Sequence, residues 1–341
     1  MSAKRRILPL FIPHLGCPHA CVFCNQRQIS GTLSPVTPAD VAAALSRLPE
    51  GAGVEAAFYG GSFTALPLEE QAALLAAVQP FRQRGIVDRI RLSTRPDAVD
   101  DAVLKLLLQN GVGTVELGAQ SMDDAVLARC GRGHRVTDTV NASALVKGAG
   151  LQLVLQMMTG LPGSTPEKDA ETARRLITLG PDAVRIYPTV ILRNTPLYAL
   201  WQSGEYREHT VEDAVAVCSE ILPLFDAAGI PVIRLGLNPT EELSGGEAAG
   251  GAYHPALGEL VRSRMALKRA RMLLEGAGAH GEICVAVPTR ELSCAIGQHR
   301  SNVRTLEAEF GLSRLRFVPA ELAPGEMRLI DCCPASGGVE V

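Results

Sequence analysis

Along the chain, short runs of β-branched and apolar residues alternate with longer stretches in which apolar residues recur every three or four positions. The strand-like runs fall at 7–12, 54–59, 89–93, 114–117, 152–157, 183–187 and 231–235. Between them, "TPADVAAALSRL", "PLEEQAALLAAVQPFRQRG", "PDAVDDAVLKLLLQNG", "VTDTVNASALVKGAG", "TPEKDAETARRLITLG" and "TVEDAVAVCSEILPLFDAAG" carry the helical period. Gly111, Gly150, Gly180 and Gly229 stand where helices are capped at their C-termini. Strand–helix units in such succession predict an α/β fold whose parallel sheet curves into a partial (β/α) barrel. Functional loops then follow the carboxyl ends of the strands.

After Leu235 the pattern changes. Residues 236–258, "GLNPTEELSGGEAAGGAYHPALG", read as a Gly-rich linker or loop. Residues 259–330 read as a small C-terminal α+β unit: a basic helix, "VRSRMALKRARMLLEG", then a strand–helix–strand stretch, with 331–341 as a tail. The expected organisation is thus a partial barrel over 1–235, the linker, the small unit and the tail.

Composition narrows the setting. The chain has 341 residues, 47% hydrophobic and 20% charged, as in an ordinary globular protein. Its net charge of −3 gives no overall basic footprint, so a nucleic-acid partner needs a local patch. The opening "MSAKRRILPLFIPHLGC" has the outline of an export signal, but Pro9 and Pro13 interrupt it and His14 spoils a lipoprotein-type cleavage site. It reads as a buried strand. No run approaches the ~18 apolar residues of a membrane span, and nine cysteines without framework spacing point to a reducing compartment. A cytoplasmic location is expected.

The chemistry concentrates in "PHLGCPHACVFCNQRQISG", where Cys17, Cys21 and Cys24 form a C-x3-C-x2-C cluster. With His14 or His19 it could build a structural zinc site. The spacing also lets one loop bind three irons of a cubane and leave the fourth without a protein ligand. An open metal position invites a chelating substrate or cofactor.

This loop, with the aromatic Phe23 before its last cysteine, resembles that of the radical S-adenosylmethionine (SAM) enzymes. The resemblance implies one 4Fe-4S cluster whose fourth iron is chelated by the amino and carboxylate groups of SAM. It also implies one-electron cleavage of SAM to methionine and a 5′-deoxyadenosyl radical. "FYGGSFTALP", "STRPD", "VELGAQSMDDAVLARCGRGHR", "MMTGLPGSTPEKD" and "VRIYPTVILRNTPLYALWQSGEY" follow in order. Together they resemble, over roughly residues 6–235, the radical domain of the catalytic subunit of Elongator, a tRNA wobble-uridine modification complex, and its bacterial relatives. On that resemblance Phe23, Gly60, Gly61, Ser62, Ser93, Gln120 and Arg132 are the cofactor-binding residues. The Gly60–Ser62 stretch is where the methionine amino group is held, although many members have an acidic residue in place of Ser62. Gln120 is placed at the ribose and Arg132 at the methionine carboxylate, roles that an amide and a guanidinium fork suit. Glu116 is expected to point into the barrel, and His134 to be either catalytic or packed. The Elongator subunit continues into an acetyltransferase-like domain. Nothing after Leu235 reads as that fold, so a relative lacking it is expected.

Three functions remain open at this point: a radical SAM enzyme acting on tRNA and served by an electron-donor protein, a radical SAM enzyme acting on a small molecule such as a tetrapyrrole, and a non-catalytic zinc-stabilised nucleic-acid-binding module. For tRNA the expected contact is the basic stripe of Arg264, Lys268 and Arg271, spaced i, i+4 and i+7, with Arg300, Arg304, Arg314 and Arg316 adding charge nearby. "AIGQHRSNV" has the first glycine of the G-x-x-G loop of RNA-binding KH modules but Arg300 in place of the second, and reads as a helix-start loop. Cys130, Cys218, Cys284 and Cys294 read as small buried hydrophobes, and the adjacent Cys332 and Cys333 as incidental.

Overall fold

The computed structural model describes residues 6–12, 17, 19–24, 36–237 and 246–331. It divides into two compact units, Met1–Pro255 and Ala256–Val341. His14, Cys332 and Cys333 lie outside the described residues.

In the first unit, β1 (Ile7–Phe11), β2 (Val54–Tyr59), β3 (Val87–Thr94), β4 (Val112–Gln120), β5 (Gln152–Thr159) and β6 (Ala183–Pro188) each pair in parallel with the next. A short β7 (Val190–Leu192) stands outside this sheet, and β8 (Val232–Leu235) completes it beside β6. The seven strands curl into the expected open half-barrel. Its helices are α1 (Pro38–Ser46), α2 (Leu68–Gln83), α3 (Asp101–Gln109), α4 (Asp124–Arg129), α5 (Val136–Gly148), α6 (Pro166–Thr178), α7 (Pro196–Gln202) and α8 (Val211–Ala227). Side chains of Thr37, Asp100, Thr165 and Thr210 accept from first-turn backbone N–H groups and so fix where four of these helices begin.

Alternation within the strands decides what each sheet face can hold. Ala56, Phe58, Ile90, Leu92, Val115, Leu117, Leu153, Leu155, Val184 and Ile186 share one face and are all buried. The other face carries Glu55, Tyr59, Arg91, Ser93, Glu116, Gln156, Arg185 and Tyr187. A strand period of two therefore separates an apolar face from a polar one.

The stretch expected as a linker is partly a strand. β9 (Ala248–Gly251) pairs antiparallel with β7, and the first unit extends to Pro255. The sequence of β9, AAGG, has no strand propensity. It pairs because its smallness lets the backbones approach: a Cβ on Gly251 would sit 2.8 Å from the Thr189 carbonyl oxygen.

The second unit consists of α9 (Leu257–Ala277), β10 (Glu282–Pro288), α10 (Leu292–Ile296), α11 (Ser301–Phe310), β11 (Arg314–Ala320) and β12 (Arg328–Ile330). β10 is central, parallel to β11 and antiparallel to β12. Ala266, Ala270 and Leu274 of α9 join Val285, Val287, Val303, Leu306 and Leu315 in its core.

Candidate active site

The cysteine loop leaves the carboxyl end of β1, as the sequence predicts. Its backbone is held at two distant places. Val22 donates to the Cys130 carbonyl (3.0 Å) and accepts from the amide of Leu197 in α7 (2.8 Å), while Cys24 N–H closes a turn onto the Cys21 carbonyl (3.0 Å). Phe23 packs between two apolar clusters, Val126, Cys130 and Leu161 on one side and Ile191, Leu197 and Tyr206 on the other. It thus anchors the loop.

Two of the three thiols meet residues singled out in the sequence. Cys17 Sγ lies 3.3 Å from Ser62 Oγ, just after the Gly60-Gly61 turn that ends β2. Gly60 has φ +88° there, and a Cβ would press on the Phe11 ring at 3.3 Å. The buried Cys21 receives Arg132 Nη1 at 3.4 Å, across 111 residues of sequence. Arg132 Nη2 donates to the Gly118 carbonyl (2.8 Å), and a Cβ on Gly118 would lie 2.7 Å from that nitrogen. Gly133 serves the same close approach from the other side, since a Cβ there would strike the His19 ring at 2.4 Å. The buried Arg132 Nε has no hydrogen-bond partner.

Gln120, buried at the end of β4, is held in the left-handed region (φ +63°) and accepts from Gln156 Nε2 at 3.2 Å. Ser93 is half-buried on β3, in register with Glu116. His134 is packed: its Nε2 bonds the Ala119 carbonyl at 3.2 Å. Burial, and then the charge of Arg132, push its pKa down to about 4, so the ring is neutral near pH 7. Cys130 and Cys218 are buried and free, Cys294 is half-buried, and Cys284 is buried but disulfide-bonded rather than a free hydrophobe.

Some site residues were not assigned a role from sequence. In "STRPD", Arg95 is fully buried, grips Asp97 with two hydrogen bonds of 2.9 and 3.0 Å, and donates to the Arg132 carbonyl, so it positions the rim arginine. Below the rim, Glu116 takes Arg91 at 2.8 Å and Arg185 at 2.9 Å, while Arg91 also reaches Glu55 at 3.1 Å. Tyr59 donates to Glu116 (2.9 Å). Burial, followed by Glu116, raises the Tyr59 pKa and keeps it a phenol; burial opposes the charge on Arg185, but Glu116 and the two tyrosines outweigh it and raise its pKa.

Among the described residues, no three His, Cys, Asp or Glu side chains converge on a point that one metal ion could occupy. Three thiolates on three corners of a cubane need no common point. Soft sulfur donors on one loop, with a guanidinium beside one of them, fit an iron–sulfur cluster.

The sequence matches the radical SAM superfamily over residues 11–176 and the radical SAM C-terminal domain over residues 181–267. The chain belongs to the radical SAM superfamily: it is an enzyme whose cofactors are a 4Fe-4S cluster and S-adenosylmethionine. Among its relatives is the tRNA uridine(34) acetyltransferase of Methanocaldococcus infernus, 37% identical over 131 residues, which are 38% of this chain and 24% of that protein. The Elongator complex protein 3 of Homo sapiens is 28% identical over 232 residues, covering 62% of this chain and 42% of that one. The chain thus spans less than half the length of these relatives. The structure of M. infernus Elp3 lacking its N-terminus superposes with a TM-score of 0.62 at 24% identity, over 78% of this chain and 64% of that one, and so shares the fold. The second family match continues past Leu235, where the motif resemblance stops. No described helix is long and apolar enough to cross a membrane.

Proposed function

We propose that this radical SAM enzyme modifies a base of tRNA, with the wobble uridine as its target, in the cytoplasm and with electrons from a donor protein. The observation that carries the reading is the three-cysteine loop set against the Arg132 fork at the mouth of a polar-lined half-barrel. In this reading Cys17, Cys21 and Cys24 hold the cluster. Phe23, Gly60, Gly61, Ser62, Ser93, Gln120 and Arg132 line the SAM site, and the Arg132 fork takes the methionine carboxylate. Bound there, the cluster and SAM supply a one-electron route to an organic radical. The relatives' names, a tRNA uridine(34) acetyltransferase and Elongator complex protein 3, support the choice of tRNA.

The tRNA is held outside the active site by a local basic patch, because a base must be presented from a loop or taken from a stack. Arg264 and Lys268 are exposed on α9 and serve this role. Arg271, the third member of the expected stripe, is neutralised by Glu309 through a bidentate pair at 2.8–3.0 Å. The test is mass spectrometry of nucleosides in tRNA from cells with and without the protein. Loss of a modified wobble uridine is expected. Unchanged tRNA alongside an altered small-molecule pool would move the substrate to that pool.

A further inference from the structure

We infer that the second unit carries a clamp for the phosphodiester backbone of single-stranded RNA, formed by the loop of residues 297–300 and the cations around it. This deepens the tRNA reading and rests on it for the identity of the RNA. The parallel strands β10 and β11 are connected through α10, the loop Gly297-Gln298-His299-Arg300, and α11. Two helices joined by such a four-residue loop are the device by which KH modules grip a run of backbone nucleotides.

The sequence argues against that device, because Arg300 stands where the second glycine belongs. The backbone does not follow the sequence. His299 and Arg300 have φ of +51° and +61°, the left-handed region that favours glycine, after Gly297 at +77°. Two consecutive non-glycine residues stay there only when their surroundings impose it. Asn302 is that surrounding: buried, its Nδ2 donates to the carbonyl and hydroxyl of Ser263 on α9 (3.0 Å each) and to the carbonyls of Cys294 and Ala295 closing α10 (3.0 and 3.2 Å). A Cβ on Gly297 would lie 2.5 Å from Ser301 Oγ and 3.0 Å from the Asn302 backbone nitrogen, so that corner has no room for a side chain. The loop shape is retained, and a cation has been added at its second corner.

Charge selects the occupant. Several acids of this unit are already paired: Glu291 with Arg269, Glu309 with Arg271, Glu282 with Arg314 and Arg316, and Glu326 with Arg328. The side chains of Arg264, His299, Arg300 and Arg304 are exposed and make no hydrogen bond or ion pair among the described residues. The Asn302–Ser263 bonds bring the loop beside Arg264, so the unpaired cations gather on one surface while the paired ones do not. A strand of phosphodiesters, each an anion with acceptor oxygens only, complements that surface. The patch is a few residues across, which suits a few phosphates of one strand.

The test uses the full chain, a single-stranded RNA of about ten nucleotides and an unmodified tRNA transcript, with affinities measured across a salt series. Replacing His299→Asp and Arg300→Asp together inverts the charge with a residue that tolerates the left-handed region. Binding of both RNAs should weaken at least tenfold, and the log–log salt slope should flatten by about 1.4, or about 0.7 per lost single-strand contact. Arg300→Gly removes the cation while relaxing the backbone. It should flatten the slope by about 0.7 without lowering the melting temperature, and it decides the matter alone if the double variant does not fold. If both variants bind tRNA as the parent does, the clamp is wrong and the tRNA reading stands. If the parent binds the short RNA through the loop but not tRNA, the clamp stands and the tRNA reading fails. If the parent binds neither, both fall.

Discussion

The floor of the half-barrel and its rim treat buried charge in opposite ways. On the floor two acids and two bases close on each other: Glu116 holds Arg91 and Arg185, and Arg91 also holds Glu55. On the rim Arg132 reaches only a sulfur and a carbonyl, forms no ion pair among the described residues, and keeps a buried Nε without a partner. A charge set that closes on itself needs no ligand and serves the fold. One left open needs an anion to complete it. The contrast assigns the floor to structure and the rim to cofactor binding.

The largest effect should come from breaking the floor. Glu116→Gln leaves Arg91 and Arg185 with Glu55 as their remaining partner and should cost about 3–5 kcal/mol in urea unfolding. A loss below about 1 kcal/mol would mean that water or mobile side chains already share the charge. The next effect separates packing from chemistry at the rim. His134 takes a proton near its ordinary value of 6.5 in the unfolded chain but only near about 4 when folded. Stability is therefore lost as pH falls from 6.5 to 4, by up to about 3 kcal/mol. Asp169, pushed up to about 6 chiefly by burial, acts the other way as pH falls below that value, so the comparison must be between His134→Gln and the parent. The variant should show the shallower loss; parallel curves would mean that the imidazole titrates normally in the fold.

Opening the rim further should leave the fold intact. Arg132→Ala should retain iron and weaken SAM binding by about 1.5–3 kcal/mol, the worth of a hydrogen bond to a charged group. Unchanged affinity by anaerobic calorimetry would assign the carboxylate to another residue. The smallest effect belongs to a closed pair at the surface. Arg271→Gln should shift stability by no more than about 1 kcal/mol, because its partner Glu309 is partly exposed.

Much of the half-barrel was legible because strand-like and helical periods alternate cleanly and because caps such as Thr37 and Thr210 announce helix starts. α4 and α7 were not, since six or seven residues make fewer than two turns and show no period. β9 was hidden because four small residues carry no pattern. In the site, Cys17, Cys21 and Cys24 stood out through local spacing, and Gly60-Gly61 and Gln120 through motifs. The contacts that give them meaning are tertiary: nothing near Cys21 in sequence points to Arg132, and nothing in "STRPD" shows that Arg95 supports that arginine's carbonyl. Arg300 illustrates the converse. Its side chain reads as the loss of a glycine loop, while Asn302 keeps the loop in place.

The central claim is that the rim is a cofactor site built on three cysteines. The most direct test is iron and sulfide analysis of anaerobically reconstituted protein, with 5′-deoxyadenosine measured after reduction in the presence of SAM, for the parent and Cys24→Ala. The parent should hold one four-iron cluster and form the nucleoside, and the variant should lose both together. A parent that carries zinc in place of iron, or a variant that cleaves SAM at the parental rate, would contradict the account.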